Sequence, residues 1–197
     1  MAEIKLDNIS FRYGDKQVLE NFSLTISKSG VIGFTGPSGS GKTSLLRRLA
    51  GLERSDGTVF GLSEHQTAFL FQENRLLPWR TVEQHITDVL PRERRGETER
   101  WLALAELEGE NKTLPAELSG GMARRLAVAR CAALGGEVLL LDEPFTGVDT
   151  QRAVRMLTAL KNMGTPVILV SHEEPVLEVC DKVYTFDGPP LRLISER

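Results

Sequence analysis

The chain has 197 residues, 41% of them hydrophobic and 26% charged, with a formal net charge of -3. That composition is ordinary for a globular protein, and a chain of this size buries about 70% of its unfolded surface without needing a disulfide or a structural metal. The mildly acidic balance argues against a broad nucleic-acid footprint, and no apolar run approaches the ~18 residues of a membrane span.

Residues 2–14, AEIKLDNISFRYG, alternate apolar and polar side chains as a half-buried strand does. QVLENFSLTISKSG repeats the pattern after a turn at Gly14 and Asp15, so the two predict an antiparallel β-layer. GVIGFTG is a short, wholly apolar run into glycines, the pattern of a buried parallel strand. GKTSLLRRLAGL then shows helical spacing and stops at Gly51. GTVFG and TAFLFQ read as further strands. From Glu73 to Leu134 the strand pattern gives way to the helices ETERWLALAEL and GGMARRLAVARCAAL, with Pro78, Pro91 and Pro115 as punctuation. Residues 73–134 are therefore predicted to be a helical insertion between core segments 1–72 and 135–197. EVLLLDEP and TPVILVSHE return to buried strands on either side of the helix DTQRAVRMLTALKNMG, and DKVYTFDGPPLRLISER closes as a hairpin. The alternation predicts an α/β fold around a parallel sheet.

Cys131 and Cys180 have no CxxC or ligand-like spacing and are predicted to be ordinary buried thiols, in helix-like apolar surroundings and a reducing compartment. The run RERR at 92–95 reads as a solvated surface turn. The start MAEIKLDNIS lacks the cationic and apolar regions of a signal peptide, so a cytoplasmic chain is expected.

The chemistry concentrates in a few short runs. GPSGSGKT matches G-x-x-x-x-G-K-[ST] with Gly36, Pro37, Ser38, Gly39, Ser40, Gly41, Lys42 and Thr43, followed by Ser44. Its glycines let backbone N–H groups converge on phosphate oxygens, and the dipole of the helix it opens adds to that field. Lys42 would reach the β- and γ-phosphates, and the Thr43 hydroxyl would hold Mg²⁺. In VLLLDEP a core strand ends on Asp142, a candidate for Mg²⁺ or its water shell. Glu143 is a candidate general base for a water nucleophile if the strand end turns it to the same site. The plainer reading of the pair is a solvated turn before Pro144. A second serine-glycine turn, LSGGMARR from Leu118, opens another helix far along the chain and raises the prospect of a second phosphate contact.

These motifs, in this order, resemble the ATP-binding cassette ATPases, the nucleotide-binding subunits of ABC transporters, over nearly the whole chain. The resemblance implies one domain over residues 1–197, with a P-loop NTPase core, a parallel sheet, an antiparallel β-layer and an inserted α-helical subdomain. Gly36–Thr43 is similar to Walker A, Asp142 to the Walker B aspartate and Glu143 to the catalytic glutamate. Gln72 resembles the Q-loop glutamine that contacts Mg²⁺ and water, where the alternative is a plain strand-end amide. Ser119, Gly120 and Gly121 resemble the signature motif, and Asp149 in TGVD the D-loop aspartate. His172 resembles the switch histidine, against the alternative of a surface histidine. Tyr13 resembles the aromatic that stacks on adenine, against simple hairpin packing. Catalytic roles thus fall to Glu143, His172, Lys42 and Gln72.

In this family two copies pair head to tail, so Ser119 and the Gly121 N–H would meet the γ-phosphate of an ATP held by a second copy. Met122 stands where the family usually has glutamine and TGVD where S-A-L-D is common, and His85 stands where the importer subgroup named below tends to have asparagine. The sequence runs only a short way past the last hairpin, so no C-terminal regulatory domain of the family's kind is expected. FQENRLLPWRTVEQHI, which follows the sheet strand, resembles importer ATPases for nitrate, sulfonates and taurine. That implies a separate membrane permease, a substrate-binding protein if the system imports, no nucleic acid, and a position on the inner face of the membrane. Leu77 and Trp79 form a small apolar patch suited to a permease helix, unless they only pack the insertion. Two other classes stay open: an ABC-type ATPase working on DNA or ribosomes, and a P-loop small-molecule kinase, which would leave LSGG, Glu143 and His172 without a role.

Overall fold

The computed structural model describes residues 2–63 and 66–197. In chain order its strands and helices are β1 (Glu3–Tyr13), β2 (Lys16–Ser27), β3 (Val31–Thr35), α1 (Lys42–Leu49), β4 (Asp56–Phe60), β5 (Thr67–Leu70), α2 (Val82–Thr87), α3 (Thr98–Leu104), α4 (Gly120–Leu134), β6 (Val138–Asp142), α5 (Thr150–Asn162), β7 (Val167–Val170), α6 (Glu174–Leu177), β8 (Lys182–Asp187) and β9 (Arg192–Glu196). Every element between residues 73 and 134 is helical, including short 3₁₀ turns at Arg92–Glu97 and Pro115–Glu117. The RERR run lies on the first of these and is exposed, as expected.

β1 and β2 form the expected hairpin, with Tyr13 opposite Lys16 across the Gly14–Asp15 turn. β4 adds to the free edge of β1, giving a three-stranded antiparallel layer in the order β2-β1-β4. The second sheet has six strands in the order β5-β6-β7-β3-β8-β9. β5, β6, β7, β3 and β8 run parallel, and β9 closes the edge as the second arm of a hairpin with β8.

The apolar runs follow from where this sheet sits. On β6, Leu139 and Leu141 face a core cluster shared with α4 and α5, while Val138 and Leu140 face one shared with α1 and the β-layer. β7 divides in the same way, Val167 and Leu169 to the first cluster and Ile168 and Val170 to the second. Both faces are covered, so neither strand alternates with polar residues. α5 presents Ala153, Met156, Leu157 and Leu160 to the first cluster, a helical stripe of the kind one buried face requires. Leu140→Ala empties a site with no solvent exposure and is expected to cost about 2–5 kcal/mol, read as a lower urea midpoint with an unchanged slope. A loss well below about 1 kcal/mol would mean the β-layer does not seal that face.

Helix starts follow local chemistry. The Thr81 hydroxyl and the Gln84 side chain form a reciprocal cap at α2, Ser119 accepts from the Met122 N–H at α4, and Asp149 accepts from Gln151 and Arg152 at α5. One expectation needs correction. Cys131 lies buried on α4, but Cys180 sits half-buried in the loop after α6, not on a helix, because α6 ends at Leu177. Burial pushes both thiols up to about 12, so neither supplies a thiolate near neutral pH.

Candidate active site

Four neighbouring parallel strands each run into one of the motifs at their C-terminal ends. β5 leads to Gln72, β6 ends on Asp142 and leads to Glu143, β7 leads to His172, and β3 leads into Gly36–Thr43. Residues more than a hundred positions apart are thereby set along one sheet edge, where open α/β sheets bind ligands.

The glycine loop is shaped by close approach. Gly36 has φ +132°, and a Cβ there would run into the Phe186 carbonyl of β8. Gly41, at φ +114°, is the N-cap of α1; no side chain caps that helix and no acid lies in its first turn. Its amides are therefore left for an anion. The Lys42 ammonium donates to the carbonyls of Gly36 (2.8 Å) and Pro37 (2.7 Å) and to the Ser40 hydroxyl (3.2 Å). Burial lowers the Lys42 pKa, with the carboxylates of Glu143 and Asp142 opposing the shift.

The Thr43 hydroxyl donates to Asp142 Oδ1 at 3.0 Å. Burial raises the Asp142 pKa, with that hydrogen bond pulling the other way. Glu143 has φ +47°, in the left-handed region that side chains rarely occupy. The alternation of β6 therefore stops at Asp142. Gln72 Nε2 lies 3.4 Å from one Glu143 carboxylate oxygen, the Thr146 hydroxyl 3.4 Å from the same oxygen, and His172 Nε2 3.8 Å from the other. The sequence left open whether Asp142 and Glu143 share a site, and the backbone turn at Glu143 brings its carboxylate to the Gln72 and His172 side chains.

A cleft of about 340 Å³ is lined by Ser38, Gly39, Gly41, Lys42, Thr43 and Ser44 on one side and by Gln72, Glu143 and His172 on the other. Tyr13 stands at its rim, its hydroxyl donating to Glu53 (2.9 Å) and its ring meeting Phe11 edge to face. Gly36, Pro37 and Ser40 lie behind this wall and hold Lys42. Ser119, Gly120, Gly121 and Asp149 do not line the cleft. Gly121 instead packs on Gly147, so the serine-glycine turn and the TGVD loop form one neighbouring surface.

Lys16, Val18 and Val170 also line the cleft and were not anticipated. Lys16 could have been found, since a two-residue turn sets it opposite Tyr13. Val170 carried no signal beyond its place before His172. Beside this region Leu77 and Trp79 are 42% and 70% exposed. The buried His85 ring holds their loop, Nε2 accepting from the Leu77 N–H (2.9 Å) and Nδ1 bonded to the Thr81 carbonyl (2.8 Å). Burial lowers the His85 pKa, which keeps Nε2 an acceptor at neutral pH.

A family model described as ABC transporter matches residues 19–146, from β2 through the end of β6 to Thr146. The chain belongs to the ABC transporter family. The aliphatic sulfonates import ATP-binding protein of Bacillus subtilis is 40% identical over 171 residues, covering 79% of this chain and 67% of that protein. The sulfate/thiosulfate import ATP-binding protein of Halalkalibacterium halodurans is 36% identical over 205 residues, 91% of this chain and 57% of that one. Among solved structures, an ATP-binding cassette in a dimeric post-hydrolysis state with ADP and Pi superposes with a TM-score of 0.82 at 24% identity, covering 98% of this chain and 97% of that one. The α/β architecture is thus that of the cassette P-loop NTPases. This ABC protein is an ATP-hydrolysing, nucleotide-binding subunit. Among its described residues no helix is long and apolar enough to cross a membrane.

Proposed function

We propose that two copies of this chain close head to tail around two ATP molecules and drive a separate membrane permease. One observation carries the reading: the Ser119–Gly121 turn opens α4 away from the cleft that holds Lys42, Thr43, Glu143 and His172. A phosphate-binding turn outside its own cleft finds its phosphate on a second copy, and a two-fold pair makes both sites complete. The likeness to cassettes solved as dimers supports this pairing.

In each site Glu143 takes the proton of the attacking water, or polarises it, and His172 and Gln72 hold that water in line with the γ-phosphate. Lys42 and the loop amides spread charge on the β- and γ-phosphates, joined by the Ser119 hydroxyl and Gly121 N–H of the second copy. Tyr13 stacks on the adenine from the rim, and Asp149 of the TGVD loop closes the interface. The Thr43 hydroxyl and the Asp142 carboxylate form an all-oxygen pair of the kind Mg²⁺ prefers, and they would hold it with Gln72 near by. Bound there, Mg²⁺ would supply positive charge to offset the charge of the phosphates.

The exposed Leu77–Trp79 patch docks the permease from the cytoplasmic face of the membrane. The cargo is a small anion such as a sulfonate or nitrate, imported with the help of a separate substrate-binding protein; the relatives named for aliphatic sulfonates and for sulfate/thiosulfate import support the anion class. Relatives named for sulfonates, sulfate and Fe(3+) import match this chain at similar identity, which fits a subunit that never touches the cargo. The family match favours neither the kinase reading nor the DNA or ribosome reading.

The test is the solution mass of Glu143→Gln by light scattering in Mg-ATP and in Mg-ADP. A dimer in ATP alone, lost on adding Ser119→Arg, is the expected result. A dimer that survives Ser119→Arg would remove LSGG from the interface. A monomer in ATP would overturn pairing of the free subunit.

A further inference from the structure

α4 is apolar through most of its length, yet Arg124 lies within it at 3% exposure. Its guanidinium meets oxygens of carbonyls and an amide, not carboxylates. Nε donates to the Pro144 carbonyl (3.0 Å), and Nη2 to the carbonyls of Asp142 (2.7 Å) and Glu143 (2.8 Å). Nη1 donates to the carbonyls of Phe71 (2.8 Å) and Gln72 (2.9 Å) and to Asn74 Oδ1 (3.2 Å). Two segments are joined in this way, the one leaving β5 and the one leaving β6. Arg130, further along α4, adds bonds to the carbonyls of Asn74 (2.8 Å) and Arg75 (2.9 Å).

The residue type suits the task. A guanidinium offers five N–H donors in a fixed plane, whereas an ammonium is a single point on a rotatable stem and cannot serve both segments at once. Two of its acceptors are the main-chain carbonyls of Gln72 and Glu143, whose side chains meet over the cleft. The helix that carries Arg124 begins at Gly120, about one turn earlier.

We propose that Arg124 is a positioning residue for hydrolysis. It sets the main-chain spacing of Gln72 and Glu143 and ties both to the helix that opens at the LSGG turn. The hydrolytic carboxylate of one site and the phosphate-binding turn offered to the other site then move as one body. The link between the two sites rests on the head-to-tail pairing proposed above; the positioning within one site does not.

The experiment is Arg124→Lys, measured for melting temperature, equilibrium ATP affinity, kcat and KM. ATP affinity and KM are expected to stay within about threefold of the parent, since Lys42 and the glycine loop are untouched. kcat is expected to fall roughly 10- to 100-fold, the scale of an ångström-level misplacement. If Arg124→Lys does not fold, Asn74→Ala removes one acceptor from a half-buried loop and is expected to lower kcat at least twofold at unchanged KM. Parental kcat in whichever of the two is folded overturns the proposal, and so does a kcat loss matched by an equal loss of ATP affinity. Measuring Arg124→Lys and Glu143→Gln side by side, as single variants, separates the two readings. A dimer in Mg-ATP by Glu143→Gln with parental kcat in Arg124→Lys sinks the positioning alone. Slow turnover in Arg124→Lys with no dimer from Glu143→Gln sinks the pairing, and with it the link between sites.

Discussion

Glu143→Gln is expected to lower ATP turnover by roughly 10²–10⁴-fold while leaving ATP bound, the scale for removal of a positioned general base. The amide keeps the shape of the side chain and its contacts with Gln72 (3.4 Å) and Thr146 (3.4 Å), but it cannot accept the proton of the attacking water. The backbone that aims this side chain is held independently of the carboxylate. The Glu143 N–H donates to the Val170 carbonyl at 3.1 Å, and the Glu143 carbonyl accepts from Arg124. The left-handed turn at Glu143 should therefore survive the substitution, so the measured loss reports chemistry and not folding. Single-turnover kinetics beside an equilibrium binding curve make the separation. Turnover near the parental rate would remove Glu143 from the mechanism and leave His172 as the candidate base.

Lys42→Ala is expected to weaken Mg-ATP binding by about 10–100-fold, seen by calorimetry. A hydrogen bond to a charged group contributes about 1.5–3 kcal/mol, and each 1.4 kcal/mol is a factor of ten. The ammonium is already collared by the carbonyls of Gly36 and Pro37 and by Ser40, so little side-chain freedom remains to be lost when phosphate arrives. The same substitution takes a donor away from those two carbonyls, which loosens the loop and works in the same direction. Unchanged affinity would count against the phosphate role of the whole Gly36–Thr43 run. The two variants are expected to diverge, one binding without turnover and the other failing to bind, and that divergence separates phosphate capture from water activation.

Much of the site was legible because its parts are short and local. A lysine and three glycines at fixed spacing, Asp142 and Glu143 after VLLL, and a histidine after VILV each name their chemistry within a few residues. The elements were legible for the same reason, since period and turn residues act over a handful of positions. Neighbours in space were not. GTVF carries no mark that sends it to β1 and not to the parallel sheet, because an apolar or alternating run specifies faces and says nothing of partners. The order β5-β6-β7-β3, which brings Gln72, Glu143, His172 and the glycine loop together, depends on pairings of strands separated by scores of residues. The direction of Glu143 depends on one left-handed backbone residue that no propensity announces. Arg124 reads in the chain as one more basic residue after LSGG. Only packing buries it, and only burial makes its bonds to carbonyls from β5 and β6 worth more than the water they replace.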